Sequence, residues 1–168
     1  MAALSLHQHP DPLLRQKAKR VKIIDHSIRE LIAQMIDTMR QAQGVGLAAT
    51  QVGVPLRVLV VELPDQEPLA LINPQIVKRQ GERTVEEGCL SVPGLRGEIK
   101  RSLSVTVKGL DPEGKEVRLK AQDLLAQALE HEIDHLNGVL YIDHLESQEK
   151  LHRIEPAEMH GEEETLPQ

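Results

Sequence analysis

Residues 124–136 read LLAQALEHEIDHL, and at their centre stand His131, Glu132 and His135, an H-E-x-x-H pattern. On a helix, His131 and His135 lie one turn apart on one face, where two imidazoles can bind one metal ion. Glu132 then sits beside that face, able to reach a metal-bound water without being a ligand. The helix itself is expected from Leu124, Leu125, Ala128, Leu129, Ile133 and Leu136, which recur at spacings of one, three and four. Asp123 is a plausible N-cap and Asn137-Gly138 a left-handed stop. A helix that merely carries two histidines is the competing reading. Against it, two histidines and a glutamate on so apolar a helix are costly inside a protein without partners.

A thiol supplies the third donor. Cys89 is the chain's single cysteine, in 86-EEGCLS-91. A lone cysteine is usually a small buried hydrophobe. Here it interrupts a strand-like run in a chain that also carries two helical histidines. A thiolate and two imidazoles make a three-ligand site with one position open for water, as a catalytic metal requires. Residues 44–51, GVGLAATQ, allow close backbone approach. They lack the third glycine of a dinucleotide loop and the Gly-Lys-Ser/Thr ending of a phosphate loop. Gln51 becomes interesting if the fold brings it to the metal, where its amide can donate to an oxyanion.

The elements that must position these residues read as follows. A chain of 168 residues is one domain with a real core, and with Tyr141 as its sole aromatic residue that core is aliphatic. A net charge of −6 without a basic run argues against nucleic acid. No apolar stretch approaches a membrane span, and no secretory signal opens the chain. One cysteine excludes an internal disulfide, and a cytosolic home fits. Residues 1–10 read as an irregular arm with His7 and His9 solvated or lightly packed. Asp11-Pro12 starts a short helix, and residues 17–22 are a basic surface patch. Ser27 and Glu30 form a capping box opening a helix with the stripe Ile28, Leu31, Ile32, Met35, Ile36 and Met39, ending near Ala42. Strands are expected at 57–62, 69–73, 74–78, 82–86, 102–108 and 116–121. Gln80-Gly81 is read as a hairpin turn, Leu103, Val105 and Val107 as one strand face, and residues 111–114 as a turn. Without a βαβ rhythm the class is α+β, with mainly antiparallel or mixed sheets packed around a central metal-binding helix. Residues 1–146 form one catalytic domain. Residues 147–168 read as a short helix stopped by Pro156 and a mobile acidic tail with glutamates at 162–164.

Taken together, GVGLAATQ (44–51), EGCLS (87–91) and HEIDH (131–135) resemble the three signature motifs of the peptide deformylase family, in the same order. The resemblance runs from about residue 4 to about residue 145. It implies removal of the formyl group from the N-terminal methionine of nascent bacterial or organellar proteins, releasing formate. It implies one divalent metal ion, Fe(II) natively, with zinc, nickel or cobalt able to occupy the site. Cys89, His131 and His135 would hold the metal, and Glu132 would be the general acid/base. The Gln51 amide and the Leu90 backbone N–H would form the oxyanion hole. Val45, Gly46 and Gly88 would line the bound peptide as an added strand. Glu87 and Arg96 would shape the entrance, and Leu124, Gln127 and Ala128 the methionine pocket. Gln127 is polar where an apolar residue is expected, so it points to the pocket rim or alters preference. Tyr141 stands where relatives often have phenylalanine. The resemblance further implies a bacterial cytoplasmic protein near the ribosome through its N-formylmethionyl substrate. A monomer is expected, although the tail is short beside relatives whose long C-terminal helix packs on the body or serves partner contacts.

Two other classes compete. An H-E-x-x-H peptidase fits as far as Gly138, but a metzincin needs histidine where Tyr141 stands, and His144 is three places late. A thermolysin-like peptidase needs a downstream glutamate, and Glu155 and Glu158 flank Pro156 in the tail. A non-catalytic, metal-stabilised binding domain would want a fourth protein ligand, and no second cysteine exists. Neither class accounts for Cys89 together with residues 44–51.

Overall fold

Asp25, not Ser27, starts the first helix of the computed structural model, which describes residues 4–153. The Asp25 carboxylate accepts from the Ser27 and Ile28 N–H groups and from the Ser27 hydroxyl at 2.6 Å. Two cap-competent residues stand close together, and the carboxylate takes the amides while the serine donates to it. Helix α1 (His26–Gln41) buries Ile28, Leu31, Ile32, Met35 and Met39, as the stripe requires. Upstream, Pro12–Arg15 forms a 3-10 turn capped by Asp11, with proline at its start.

Eight strands follow in order: β1 (Gly46–Ala48), β2 (Val58–Val61), β3 (Leu69–Gln80), β4 (Arg83–Cys89), β5 (Val92–Arg101), β6 (Ser104–Leu110), β7 (Glu116–Gln122) and β8 (Leu151–Arg153). They form a five-stranded sheet in the order β1-β2-β3-β6-β7 and a three-stranded sheet in the order β4-β5-β8. Every pairing between these strands is antiparallel, as expected. The Gln80-Gly81 hairpin is not formed. Strand β3 pairs with β2 and β6, whereas β4 pairs with β5, so the turn carries the chain from one sheet to the other. Leu103 folds over Gly81, where a Cβ would meet its Cδ1 at 2.6 Å, and so leaves the face that Val105 and Val107 share. The runs 69–73 and 74–78 are one strand. Its proline is accommodated where the register with β6 shifts between Ile72 and Gln75, next to Asn73 at φ +53°.

The C-terminal helix expected after residue 146 is also absent within the described residues. Gln148–Lys150 make a 3-10 turn, and β8 then adds to the edge of β5, held there by Lys150 on Glu98 at 2.9 Å. Strand pairing satisfies backbone groups that a short helix ending near a proline would leave open. The acidic tail lies outside the described residues.

Helix α2 (Asp123–Leu136) carries the histidines between the two sheets. Asp123 is its first residue rather than its cap: Gln122 holds the cap position without a side-chain bond, and the Asp123 N–H donates to the Leu103 carbonyl. Leu129, Ile133 and Leu136 pack on the five-stranded sheet against Leu59, Val61, Leu71, Val105 and Val107. Alternate residues of the same sheet, Val58, Val60 and Ile72, pack with α1. Strand β2 is therefore buried on both faces. A third cluster joins Cys89, Val92, Ile99, Leu140 and Tyr141.

Asn137-Gly138 does end α2. Gly138 has φ +77° and donates to the His135 carbonyl, while Val139 N–H reaches Asp134. A Cβ on Gly138 would stand 2.5 Å from the Arg15 carbonyl oxygen. Gly138→Ala is expected to cost about 1–3 kcal/mol, and thermal unfolding should fall by several degrees. An unchanged melting temperature would contradict this packing.

Candidate metal centre

The three donor residues of the sequence meet at one buried point. His131 Nε2 and His135 Nε2 are 3.1 Å apart, Cys89 Sγ is 3.3 Å from His135 Nε2, and the three donor atoms lie within 4.8 Å of one another. Tetrahedral ligands at about 2.0–2.3 Å from an ion are separated by roughly 3.3–3.7 Å, so the set has close to the right size. The helical turn supplies the two imidazoles. Cys89 arrives because β4 shifts register between Glu87 and Cys89, and Leu90-Ser91 then turns the chain into β5. The Ser91 N–H points back at the sulfur at 3.4 Å.

Electrostatics also fit a cation. Burial, then repulsion from His131, holds the His135 imidazole well below its ordinary pKa, which favours the neutral, ligating form. Burial, then the Glu132 and Glu87 carboxylates, pushes the Cys89 thiol up. A divalent ion reverses that last effect, since a coordinating thiol loses its proton. Glu132 is fully buried, and neither carboxylate oxygen has a hydrogen-bond partner. Burial, then Glu87, raises its pKa well above the carboxylate range. This buried carboxylate, 3.9 Å from His131 Nε2 and without a hydrogen bond, favours the bound proton.

Glu87 lies elsewhere than expected. It is fully buried behind the histidines, not at an entrance. Its carboxylate accepts from His131 Nδ1, from Arg101 Nη2 at 2.5 Å and Nε at 3.0 Å, and from Gln127 Nε2 at 3.2 Å. Burial alone would raise its pKa, but His131 and Arg101 outweigh it and hold Glu87 at about 2. The ionised carboxylate fixes the His131 ring with Nε2 toward the other donors. Arg101 continues to Asp134 at 2.8 Å, and His144 closes the chain on Asp134 at 2.8 Å. That bond raises the His144 pKa. Arg101 and Asp134 were not singled out by the sequence, because their relation to the motifs exists only across elements.

Gln127 is neither at a rim nor free to contact a ligand with its amide. It is buried, with Nε2 on Glu87 and Oε1 accepting from Arg83 Nη2 at 3.1 Å. Ala128 packs fully into the core beside Leu129, while Leu124 is half-buried at the start of α2. Arg96 is buried and pairs with Glu86 at 2.9 Å. Gln51 is brought to the centre. Its Oε1 accepts from Ala48 N–H at 2.9 Å, which turns Nε2 toward Ser91 Oγ at 3.1 Å and Cys89 Sγ at 3.7 Å. Leu90 lies half-buried beside Cys89 in the adjoining turn. Buried Val45 and Gly46 run into β1, and Gly88 lies in β4; β1 and β4 are both edge strands of their sheets.

The sequence and the fold were compared with those of known proteins. The family profile described as Polypeptide deformylase matches residues 3–151. The chain is 55% identical over 157 residues to a peptide deformylase of Dehalococcoides mccartyi strain CBDB1, covering 93% of this chain and 94% of that protein. It is 49% identical over 144 residues to a peptide deformylase of Desulforudis audaxviator, covering 85% and 94%. Among solved structures, a peptide deformylase from Legionella pneumophila superposes with a TM-score of 0.85 at 46% identity, covering 89% of each chain. One from Synechococcus elongatus in complex with actinonin gives 0.85 at 45% identity, covering 88% of this chain and 81% of that one.

Gly46 touches the centre through what it lacks. A Cβ there would lie 2.5 Å from Glu132 Oε2, on a carboxylate that burial leaves little room to move. Gly46→Ala should displace Glu132 and lower turnover by about 10²-fold, while the Cys89 and histidine donors still bind one ion. Turnover and metal content measured together check this. Wild-type turnover in the variant would contradict the packing of Glu132 against residue 46.

Proposed function

The chain belongs to the peptide deformylase family, and we propose that Cys89, His131, His135, Glu132, Gln51 and Leu90 form its catalytic centre. It is a metal-dependent hydrolase that removes the formyl group from the N-terminal formyl-methionine of nascent polypeptides and releases formate. One observation carries the residue assignment. Three motifs far apart in sequence converge on a single buried point, with an amide donor and an unpartnered carboxylate beside it.

Cys89, His131 and His135 would hold a divalent ion, which would supply Lewis acidity and ease the ionisation of water near neutral pH. Fe(II) is the proposed native ion, and the mixed sulfur and nitrogen donors also suit zinc, nickel or cobalt. Glu132 accepts the proton of the attacking water as its oxygen bonds to the formyl carbon. The raised proton affinity of Glu132 supports that role. The carbonyl oxygen gains charge and is met by the Gln51 amide and the Leu90 N–H. The carbon–nitrogen bond then breaks, and Glu132 returns its proton to the leaving nitrogen. The products are formate and a free amino terminus.

The substrate backbone would add as a strand between Val45-Gly46 and Gly88, a role supported by the unpaired outer edges of β1 and β4. Leu124 and the aliphatic stem of Gln127 would meet the methionine side chain. The Gln127 amide is engaged by Glu87 and Arg83, which would turn its polar end away from that pocket. Arg96, whose Cγ is 3.9 Å from the Cβ position of Gly88, would flank the same strand. The proposal places residues 1–146 in one catalytic domain that acts as a monomer in the bacterial cytoplasm near the ribosome. No helix among the described residues is long and apolar enough to cross a membrane. Among the described residues the donor set is Cys89, His131 and His135, and His144 is engaged by Asp134; Glu155 and Glu158, on which the thermolysin-like alternative depends, lie outside the described residues.

Formate release from formyl-Met-Ala-Ser by anaerobically purified, iron-loaded protein tests this reading, with Glu132→Gln alongside. The variant should retain its metal and lose about 10²–10⁴-fold in turnover. No formate from metal-replete wild type would overturn the function in this chain. Formate at the wild-type rate from the variant would remove Glu132 from the reaction.

A further inference from the structure

The reaction makes no use of the N-terminal arm, yet the arm holds the two segments on which the oxyanion donors stand. Its path is fixed at the start, where Leu4 N–H donates to Thr38 Oγ1 at 2.8 Å and Leu6 packs against the α1 cluster. His7 N–H then donates to the Gln51 carbonyl at 2.8 Å. Two residues later, His9 N–H donates to the Ser91 carbonyl at 2.7 Å. Gln51 lies in the 3-10 turn after β1, in the five-stranded sheet's half of the molecule. Ser91 lies in the turn between β4 and β5, next to Leu90.

We propose that this arm is a positioning strap for the oxyanion hole, and that His7 is the residue that fastens it. His7 is held on three sides. Its backbone reaches Gln51. Its Nδ1 bonds Asp11 Oδ2 at 2.7 Å, and Asp11 in turn caps the following turn through Leu13 N–H at 3.0 Å. Its Nε2 lies 2.8 Å from where a Cβ on Gly53 would stand, at φ +82°, two residues after Gln51. The Gln51 amide and the Leu90 N–H must both point at one oxygen, but they belong to segments of different sheets. On the inner side those segments are tied by Gln51 Nε2 to Ser91 Oγ at 3.1 Å. The strap ties their backbones on the outer side. Oxyanion donors work at about 2.7–3.1 Å, and a misplacement of about 1 Å costs heavily in the transition state. Loosening the strap therefore lowers kcat and leaves substrate binding at the strand edges largely intact.

The inference rests on the assignment of Gln51 as a donor, and a double-mutant cycle separates the two. Steady-state kcat and KM for formyl-Met-Ala-Ser are measured on metal-replete wild type, His7→Ala, Gln51→Ala and the double variant. His7→Ala should lower kcat about 10-fold, with KM within about twofold and metal content unchanged. In the Gln51→Ala background the same substitution should cost clearly less than in the wild type, about threefold, because only the Leu90 donor is left for the strap to place. Asp11→Asn keeps the shape of the His7 partner and should give a smaller loss, of about threefold, that also shrinks without Gln51. It carries the test if His7→Ala does not fold. Equal fold-losses in both backgrounds, or unchanged kcat in both arm variants, would make the arm purely structural and overturn the proposal while Gln51 keeps its role. An unchanged kcat in Gln51→Ala would overturn the donor assignment and the strap with it.

Discussion

Glu87 bonded to His131 in the interior is the interaction on which the rest of the structure depends. A carboxylate taken wholly out of water is tolerated only with charge and hydrogen bonds around it. Arg101 supplies the charge, Gln127 fills a remaining acceptor position, and Asp134 and His144 carry the excess outward toward solvent. Breaking any inner link would strand a buried charge. The chain of contacts therefore ties β4, β5 and α2 to one another, and it fixes the ring of His131, a proposed metal ligand, with them.

At the proposed centre the Glu132 carboxylate has no hydrogen-bond partner among the described residues, and Cys89, His131 and His135 bring their donor atoms together, an arrangement that a cation would stabilise. The two sheets make this possible. Helix α2 lies between them, and the edge strands β1 and β4 border the centre.

The chemistry was more legible in the sequence than the topology. His131 and His135 carry their geometry in their spacing, because a helix places i and i+4 together whatever surrounds it. Cys89 stood out by its isolation and its motif. Strand existence could be read from alternation, but partners could not. Gln80-Gly81 has the composition of a hairpin turn, and only the competition of β6 for β3 shows that it is a crossing between sheets. Residues 147–153 have enough helical character to mislead, and the open edge of β5 decides against it. Glu87 adjoins the cysteine motif, yet a local pattern cannot say that its side chain turns inward to His131. Arg101 pairs with it across two strands, which no spacing rule encodes. Gln127 was readable as an anomaly but not as a bridge between Arg83 and Glu87.

Joint binding of the ion by Cys89, His131 and His135 is the central proposal for this centre. X-ray absorption at the metal edge of zinc-loaded protein addresses it most directly. One sulfur scatterer at about 2.3 Å and two imidazole nitrogens at about 2.0–2.1 Å per bound ion are predicted, with a lighter atom in the open position. A first shell of nitrogen and oxygen alone would contradict the claim, because it would leave Cys89 as an ordinary buried thiol and the convergence of the three motifs without a chemical purpose.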